Sequence, residues 1–196
     1  MPTTSTRLSR PARHEQLIET ALAIVRAEGA DALTLLSLAE AAGVSRPIVY
    51  DHFGTRPGLL LELYRRLDER HRTATATALA SAAPTPAGVA RVLSGAYFAC
   101  ATDMPEFSAV SAALKGNRDM ETIQRDLLDA YLTVMTDALI PHSDLAADAL
   151  RLRCVGILGA AETIAEELNA RRCSLDAAIG ALTDLIVGSI ATGVAT

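Results

Sequence analysis

The chain has 196 residues and a formal net charge of −5, and half of its residues are apolar while only 4% are aromatic. A protein that coats nucleic acid without selectivity is usually basic, so the overall charge argues against that class. The charge is uneven, because residues 1–72 contain 10 arginines against 9 acidic residues while residues 73–196 contain 8 basic and 14 acidic residues. The N-terminal third is therefore where we expect contact with phosphate.

Cysteine usage and the chain ends indicate a cytoplasmic protein. Cys100, Cys154 and Cys173 are far apart and form no CxxC pair, so we expect reduced, buried thiols. The first 14 residues contain no apolar stretch typical of a secretory signal. The apolar segment 177–196 contains Asp184, which would cost roughly 2.5–3.5 kcal/mol at the centre of a bilayer. We therefore expect no membrane partner.

Apolar residues at helical spacing predict an all-α protein of about nine helices. Residues 1–12 are polar with two prolines and are predicted to form a disordered arm. The first helix begins near Arg13 and ends at Glu28–Gly29. Thr34 and Ser45 are predicted N-caps of two short helices that end at Gly43 and Gly54. Thr55 is expected to cap a long helix that reaches about Leu79.

A proline-rich joint at residues 81–88 is the best candidate for a domain boundary. Helical patterns then resume over 87–102, 106–115, 118–140, 145–171 and 175–193. We expect a DNA-binding domain over residues 13–72 and a second helical domain over residues 73–196.

Residues 34–53 have the pattern of a helix-turn-helix, two short helices joined by a tight glycine turn. Gly43 permits the left-handed turn that a side chain would resist. At 100° per residue, Val49 and Phe53 define the buried face of the second helix. The opposite face carries five residues, namely Arg46, Pro47, Ile48, Tyr50 and Asp51.

This exposed face predicts contact with double-stranded DNA, because a recognition helix contacts base edges with side chains near its N-terminus. Arg46 is suited to guanine, with phosphate or solvent as the alternative, and Pro47 and Ile48 are suited to thymine methyl groups. Tyr50 and His52 are expected to donate to phosphate, with a local cap or stacking contact as the alternative for His52. The helix N-termini at Thr34 and Ser45 also present free amides to phosphate.

The same segment resembles the DNA-binding domain of the TetR family of transcriptional regulators over residues 11–71. The resemblance lies in Thr34, Leu38–Ala39, Ala42–Gly43–Val44–Ser45, Val49–Tyr50, His52–Phe53, Arg56 and Leu59–Leu60. It implies an all-helical homodimer whose N-terminal three helices bind a palindromic operator and whose C-terminal domain holds a small-molecule effector. Ligand binding would move the two DNA-binding heads apart and release the operator.

Carried over by position, the resemblance assigns Thr34, Tyr50, His52 and Arg56 to the DNA backbone and Arg46, Pro47 and Ile48 to bases. The chain departs from the family at Leu35–Leu36, where a polar DNA contact is lost, and at Asp51, whose carboxylate suits DNA poorly. Pro57–Gly58 is expected to weaken the start of the fourth helix. Arg10 and Arg13 are candidates for the neighbouring minor groove, or are simply solvated.

The last two helices are predicted to form a homodimer interface, because their apolar stripe and small residues suit a four-helix bundle across a two-fold axis. The alternative is an internal core face. The interface residues expected are Gly156, Gly159, Leu175, Ile179, Leu182, Ile186 and Ile190.

A mainly hydrophobic ligand is expected among the middle helices, where methionines adapt to varied shapes. The candidate lining residues, each of which is alternatively plain core, are Tyr97, Phe98, Cys100, Met104, Phe107, Met120, Tyr131 and Met135. Glu162 and Glu166 favour either a cationic ligand or a solvated face.

An enzyme is the main rival class, but the sequence lacks HExxH, GxSxG and phosphate-loop motifs and any metal-ligand spacing. We therefore expect no catalytic residues, no metal and no cofactor. A third hypothesis is a small-molecule carrier or protein-docking module that keeps the DNA-binding head without using it. The favoured function is a DNA-binding regulator, a repressor released from its operator by a small molecule.

Overall fold

The computed structural model describes residues 8–114 and 118–191, and for residues 101–103, 105, 118–120 and 124 it describes the backbone alone. Within these ranges the chain forms helices and no strand, as predicted. The nine α-helices are α1 Arg10–Glu28, α2 Leu35–Ala42, α3 Arg46–Phe53, α4 Arg56–Ala80, α5 Pro86–Asp103, α6 Pro105–Leu114, α7 Arg118–Leu139, α8 Ala147–Asn169 and α9 Leu175–Ile190. Two short 3₁₀ helices, Ala30–Ala32 and Ile140–His142, complete the described secondary structure.

The first helix begins earlier than predicted. The Ser9 hydroxyl accepts a hydrogen bond from the Ala12 amide at 3.4 Å, and a proline lies in the first turn. Proline is tolerated there because its missing N–H would have no helical partner. Residues 10–12 of the predicted arm are therefore helical, while residues 1–7 lie outside the described part of the chain.

The chain divides into two compact units. The first unit comprises α1 to α3, α4 as far as Leu67, and the segment 105–121 that contains α6. The second unit comprises Asp68–Met104 and the chain from Thr122 onward. The domain boundary expected from the sequence lies after residue 72, with everything beyond it in one domain. The return of α6 to the first unit depends on contacts distant in sequence.

The first unit is built on the apolar stripe of α1, which packs against α2, α6 and the 3₁₀ helix between α1 and α2. The stripe recurs every three or four residues, the spacing that places side chains on one face of a helix. Its buried members are Leu17, Ile18, Ala21, Leu22 and Val25. Val49 and Phe53 of α3 and Leu59, Leu60 and Leu63 of α4 are also buried.

The second unit is held together by α9, which packs against both α5 and α8. Its core combines residues of α5, α7, α8 and α9, among them Leu93, Leu132, Leu150 and Ile186. Cys154 is buried in this core, whereas Cys100 and Cys173 are only half-buried, so the expected burial holds for one thiol of three.

None of the described helices has the length and apolar character needed to cross a bilayer. The described residues also include no group of three or more His, Cys, Asp or Glu side chains that could hold a metal ion.

Candidate nucleic-acid interface

The helix α2 starts at a reciprocal cap. The Thr34 hydroxyl accepts from the Ser37 amide at 2.9 Å, and the Ser37 hydroxyl accepts from the Thr34 amide at 2.9 Å. Two of the amide groups left without helical partners are thereby satisfied, which sets the first residue of α2. Thr34 was predicted as this N-cap, and the capping geometry confirms it.

The turn between α2 and α3 depends on Gly43, which adopts φ 64° and ψ 35°. This left-handed conformation is readily available to glycine and costly for other residues. The Val44 amide donates to the Ala39 carbonyl at 3.0 Å, which closes the turn. The two helices are therefore joined as the helix-turn-helix prediction required.

The second helix of the motif, α3, divides into a buried and an exposed face. Val49 is fully buried and Phe53 is 7% exposed, so these two side chains anchor α3. Ser45 occupies the N-cap position but its hydroxyl makes no capping hydrogen bond. The exposed residues are the five predicted, namely Arg46, Pro47, Ile48, Tyr50 and Asp51.

Arg10 lies beside Asp51 and partly offsets its charge. An Nη2 atom of Arg10 is 3.7 Å from the Asp51 carboxylate and donates to the Asp51 carbonyl at 3.4 Å. Both side chains are largely exposed, so the pair contributes little to stability. Its consequence is electrostatic, because the carboxylate on the exposed face of α3 is accompanied by a cation from α1. The sequence analysis missed this pair, whose members lie 41 residues apart.

His52 is half-buried and packs against α1. Its Nδ1 atom is 3.3 Å from Nδ1 of His14, and its ring lies near that of Phe53. Burial, followed by the proximity of His14 and Arg10, lowers the pKa of His52, which favours the neutral ring. The local stacking alternative is thus present in the structure. His14 could have been anticipated, since it precedes Ile18, Ala21 and Val25 on one helical face.

Arg56 has an internal role that the sequence analysis did not assign. Its Nε donates to the Leu33 carbonyl at 2.8 Å, and Nη2 donates to the Ala30 carbonyl at 2.7 Å. Asp31 is 3.8 Å from the same guanidinium. Arg56 therefore ties the start of α4 to the segment before α2. Contact between Arg56 and a DNA phosphate stays a prediction.

An ion pair joins α1 to α6 within the first unit. Arg26 donates to Glu106 Oε1 at 2.6 Å, and the Glu106 side chain is only 1% exposed. The second carboxylate oxygen of Glu106 is buried without a hydrogen-bond partner among the described residues. No sequence signal identified this contact, because the two residues are 80 positions apart.

The residues predicted to line the effector site are divided between the two units. Phe107 belongs to the first unit, where its ring lies 5.0 Å from that of Tyr64. The side chain of Met120 lies outside the described residues. The six that belong to the second unit are Tyr97, Phe98, Cys100, Met104, Tyr131 and Met135. Of these, Phe98, Tyr131 and Met135 are buried, and Tyr97, Cys100 and Met104 are half-buried. Glu162 and Glu166 are exposed.

The predicted dimer residues need correction. Leu182, Ile186 and Ile190 are at most 2% exposed, because this stripe of α9 faces the core of its own chain. They are core residues, which was the alternative considered for the stripe. Ile179 is half-buried, while Leu175, Gly156 and Gly159 are exposed and remain candidates.

Comparisons with known proteins agree with this architecture. Residues 17–63 match the family model described as bacterial regulatory proteins, tetR family. No curated protein sequence matches the chain.

Several solved structures share the fold. A TetR-like transcriptional regulator from Rhodococcus sp. RHA1 has a TM-score of 0.70 and 18% identity over 95% of this chain and 100% of its own. The fatty acid degradation regulator FadR from Bacillus halodurans has a TM-score of 0.72 and 16% identity over 89% of this chain and 94% of its own. FadR from Bacillus subtilis in complex with stearoyl-CoA has a TM-score of 0.72 and 17% identity over 90% of this chain and 99% of its own. At these identities the likeness concerns the fold.

Proposed function

We propose that this chain, whose residues 17–63 match the model of the tetR family of bacterial regulatory proteins, represses transcription in the cytoplasm as a homodimer bound to a palindromic operator. A small, mainly hydrophobic ligand then releases it from the DNA. The observation that carries the proposal is the composition of α3, whose buried face anchors the helix while Arg46, Pro47, Ile48 and Tyr50 are exposed together.

The proposed contacts fall into two classes. Arg46, Pro47 and Ile48 contact base edges, because they lie in the first turn of α3, where a recognition helix approaches the major groove. Thr34, Ser45, Tyr50 and His52 contact the DNA backbone, which positions the protein without selecting a sequence. The Tyr50 side chain is 54% exposed and therefore accessible to a phosphate. Arg56 holds the segment before α2 through its hydrogen bonds to the Leu33 and Ala30 carbonyls. We propose that it also contacts a DNA phosphate.

A homodimer is required by this mechanism, because one short helix contacts too few base pairs and two of them match a palindrome. Once the buried stripe of α9 is excluded, the surface that remains is an exposed, apolar face of α8 and α9. It contains small residues that permit close helix approach. Its members are Leu152, Val155, Gly156, Gly159, Ala177, Ala181, Leu185 and Gly188.

A ligand-responsive regulator is supported by the solved relatives, of which the FadR from Bacillus subtilis was obtained with stearoyl-CoA. The second unit of this chain offers a largely apolar core. We therefore propose a mainly hydrophobic effector and a regulatory rather than an enzymatic role.

The function is tested by measuring binding of the full chain to the DNA upstream of its own gene, by fluorescence anisotropy at several salt concentrations. We expect tight binding that weakens steeply with salt, because phosphate contacts release counterions. Equal affinity for unrelated DNA would contradict sequence-specific regulation. An absence of binding would favour a carrier or docking module.

Two substitutions in α3 separate the two classes of contact. Arg46→Ala should relax preference at one base pair of each half-site by roughly 1–3 kcal/mol. Tyr50→Phe should instead weaken binding to all DNA sequences by a similar factor, since a phosphate contact carries no sequence information. The measurement is the affinity of each variant for operator duplexes with single base changes. Uniform weakening in Arg46→Ala would move that residue to the phosphate class.

A further inference from the structure

Four polar side chains lie together in the second unit. They are His71 of α4, Tyr97 and Cys100 of α5, and Tyr131 of α7. The rings of His71 and Tyr131 are 5.1 Å apart, and Cys100 and Tyr97 both raise the pKa of Tyr131 electrostatically. His71 and Tyr131 are each 8% exposed, whereas Tyr97 and Cys100 are half-buried. The cluster therefore extends from the core towards the surface.

His71 and Tyr131 differ from the other buried polar groups of this unit. Thr75, Ser94 and Thr136 each donate a hydrogen bond to the carbonyl four residues earlier, at 2.9, 2.9 and 2.7 Å. The rings of His71 and Tyr131 contact each other. Among the described residues, neither the His71 ring nitrogens nor the Tyr131 hydroxyl makes a hydrogen bond. Among the described residues, the one side-chain polar atom that is both fully buried and unpaired is Glu106 Oε2, so the polar atoms of His71 and Tyr131 keep some accessible surface. They are therefore available to a hydrogen-bonding group that reaches them.

The cluster is uncharged at neutral pH. Burial lowers the pKa of His71 to about 4 and raises that of Tyr97 to about 12, and it also raises the pKa of Tyr131. A charged ligand would lose its hydration here, and it would meet no opposite charge among these four side chains. Glu162 is exposed and close enough to raise the pKa of Tyr97, so an anionic ligand would in addition be repelled.

We propose that His71 and Tyr131 are the hydrogen-bonding end of a binding site for an uncharged, largely apolar molecule that carries one polar group, such as a phenol. Phe98, Leu132 and Met135 belong with Tyr131 to the buried apolar core of the second unit. A methionine suits such a core, because its flexible side chain can repack around a ligand. The inference rests on the proposed function in one respect, that this molecule is the effector.

The test uses four probes of one shape: 4-hexylphenol, hexylbenzene, 4-hexylbenzoate and 4-hexylbenzylammonium. Each is titrated into the full-length protein at pH 7, and its dissociation constant is obtained from the increase in Tm, because a molecule that binds only the folded state stabilises it. We expect 4-hexylphenol to bind most tightly, hexylbenzene more weakly, and the two ions least.

Two variants locate the polar contact. Tyr131→Phe and His71→Phe keep an aromatic ring. Each should weaken the binding of 4-hexylphenol by about fivefold, the effect of one lost hydrogen bond, and should leave the affinity for hexylbenzene unchanged. Tyr64→Phe is the matched control, because it removes a tyrosine hydroxyl from the first unit and should leave both affinities unchanged.

Tighter binding of either ion than of 4-hexylphenol would overturn the proposal, as would unchanged phenol affinity in both Phe variants. The probe ranking of the unsubstituted protein decides the matter even if a variant fails to fold. DNA binding without probe is measured in parallel. If DNA binds and 4-hexylphenol does not, the ligand site fails while the proposed DNA-binding function stands. If 4-hexylphenol binds and DNA does not, the regulatory function fails and the site stands.

Discussion

Single polar residues in this protein often serve a contact that is distant in sequence. Arg56 donates to the carbonyls of Leu33 and Ala30, and His52 lies against His14. Each was assigned to DNA from its position in the motif, and each also stabilises the head. His71 follows Leu67 by one helical turn on the buried stripe of α4 and could have been placed in the core from that spacing.

His71 predicts how stability depends on pH. Its pKa is lowered to about 4 in the folded chain, whereas an unfolded histidine has a pKa near 6.5. As pH falls from about 6.5 to 4, the unfolded chain therefore binds a proton that the folded chain does not, and stability falls by up to roughly 3 kcal/mol. His71→Phe should remove this contribution. Urea unfolding of the unsubstituted protein and of His71→Phe at pH 7, 5.5 and 4.5 measures this contribution. An equal loss of stability in the two proteins as pH falls would refute the assignment to His71.

At the level of secondary-structure elements, the junction between α3 and α4 is tighter than the sequence indicated. The Gly58 amide donates to the Thr55 hydroxyl at 3.1 Å, which caps α4. A Cβ at Gly58 would lie 2.4 Å from the Phe53 carbonyl oxygen, closer than real Cβ atoms approach. The Pro57–Gly58 pair was expected to weaken the start of α4. The structure adds that this glycine permits the close approach of α3 to the start of α4.

Gly58→Ala should accordingly destabilise the protein by about 1–3 kcal/mol, the usual effect of overpacking against a backbone that cannot easily move. Gly95→Ala in α5 is the control, because a Cβ there meets nothing within 4 Å. That substitution should instead stabilise the helix by about 0.5–1 kcal/mol. Chemical denaturation of both variants measures the difference, and equal stability would show that the turn relaxes around the added methyl group.

At the scale of the whole molecule, the proposed homodimer requires an exposed surface that two copies of the chain can share. The buried residues of α8 include Leu150, Cys154 and Ile157, which all lie on one side of the helix. The opposite side is exposed and apolar, with Leu152 72% exposed. A Cβ at Gly156 or Gly159 would meet nothing within 4 Å in the same chain. A larger side chain at Gly159 is therefore compatible with the single-chain fold.

Gly159→Arg should weaken the dimer by about tenfold or more, because a charged side chain would then lie in a desolvated interface. Analytical ultracentrifugation across a concentration series measures this change. Ala76→Arg is the matched control, since Ala76 is an exposed small residue of α4 outside the proposed interface. An unchanged dimer in Gly159→Arg would exclude this face of α8, and weakening by both variants would point to a general effect of added charge.

The sequence by itself determined the helices, the helix-turn-helix and the exposed face of α3. These features depend on interactions between residues a few positions apart: the Thr34 cap, the left-handed Gly43 and the buried pair Val49 and Phe53. A helical repeat is local, so the pattern of apolar residues suffices to predict it.

Only the tertiary structure decided which apolar stripe is core and which polar groups meet. The stripe of α9 with Leu182 and Ile186 suits a partner helix of the same chain or of another chain equally well. The contact between α9 and α5 settled that choice, and α6 joined the first unit through pairs such as Arg26 and Glu106. Such contacts arise from packing between helices far apart in sequence, and periodicity carries no information about which helices pack together.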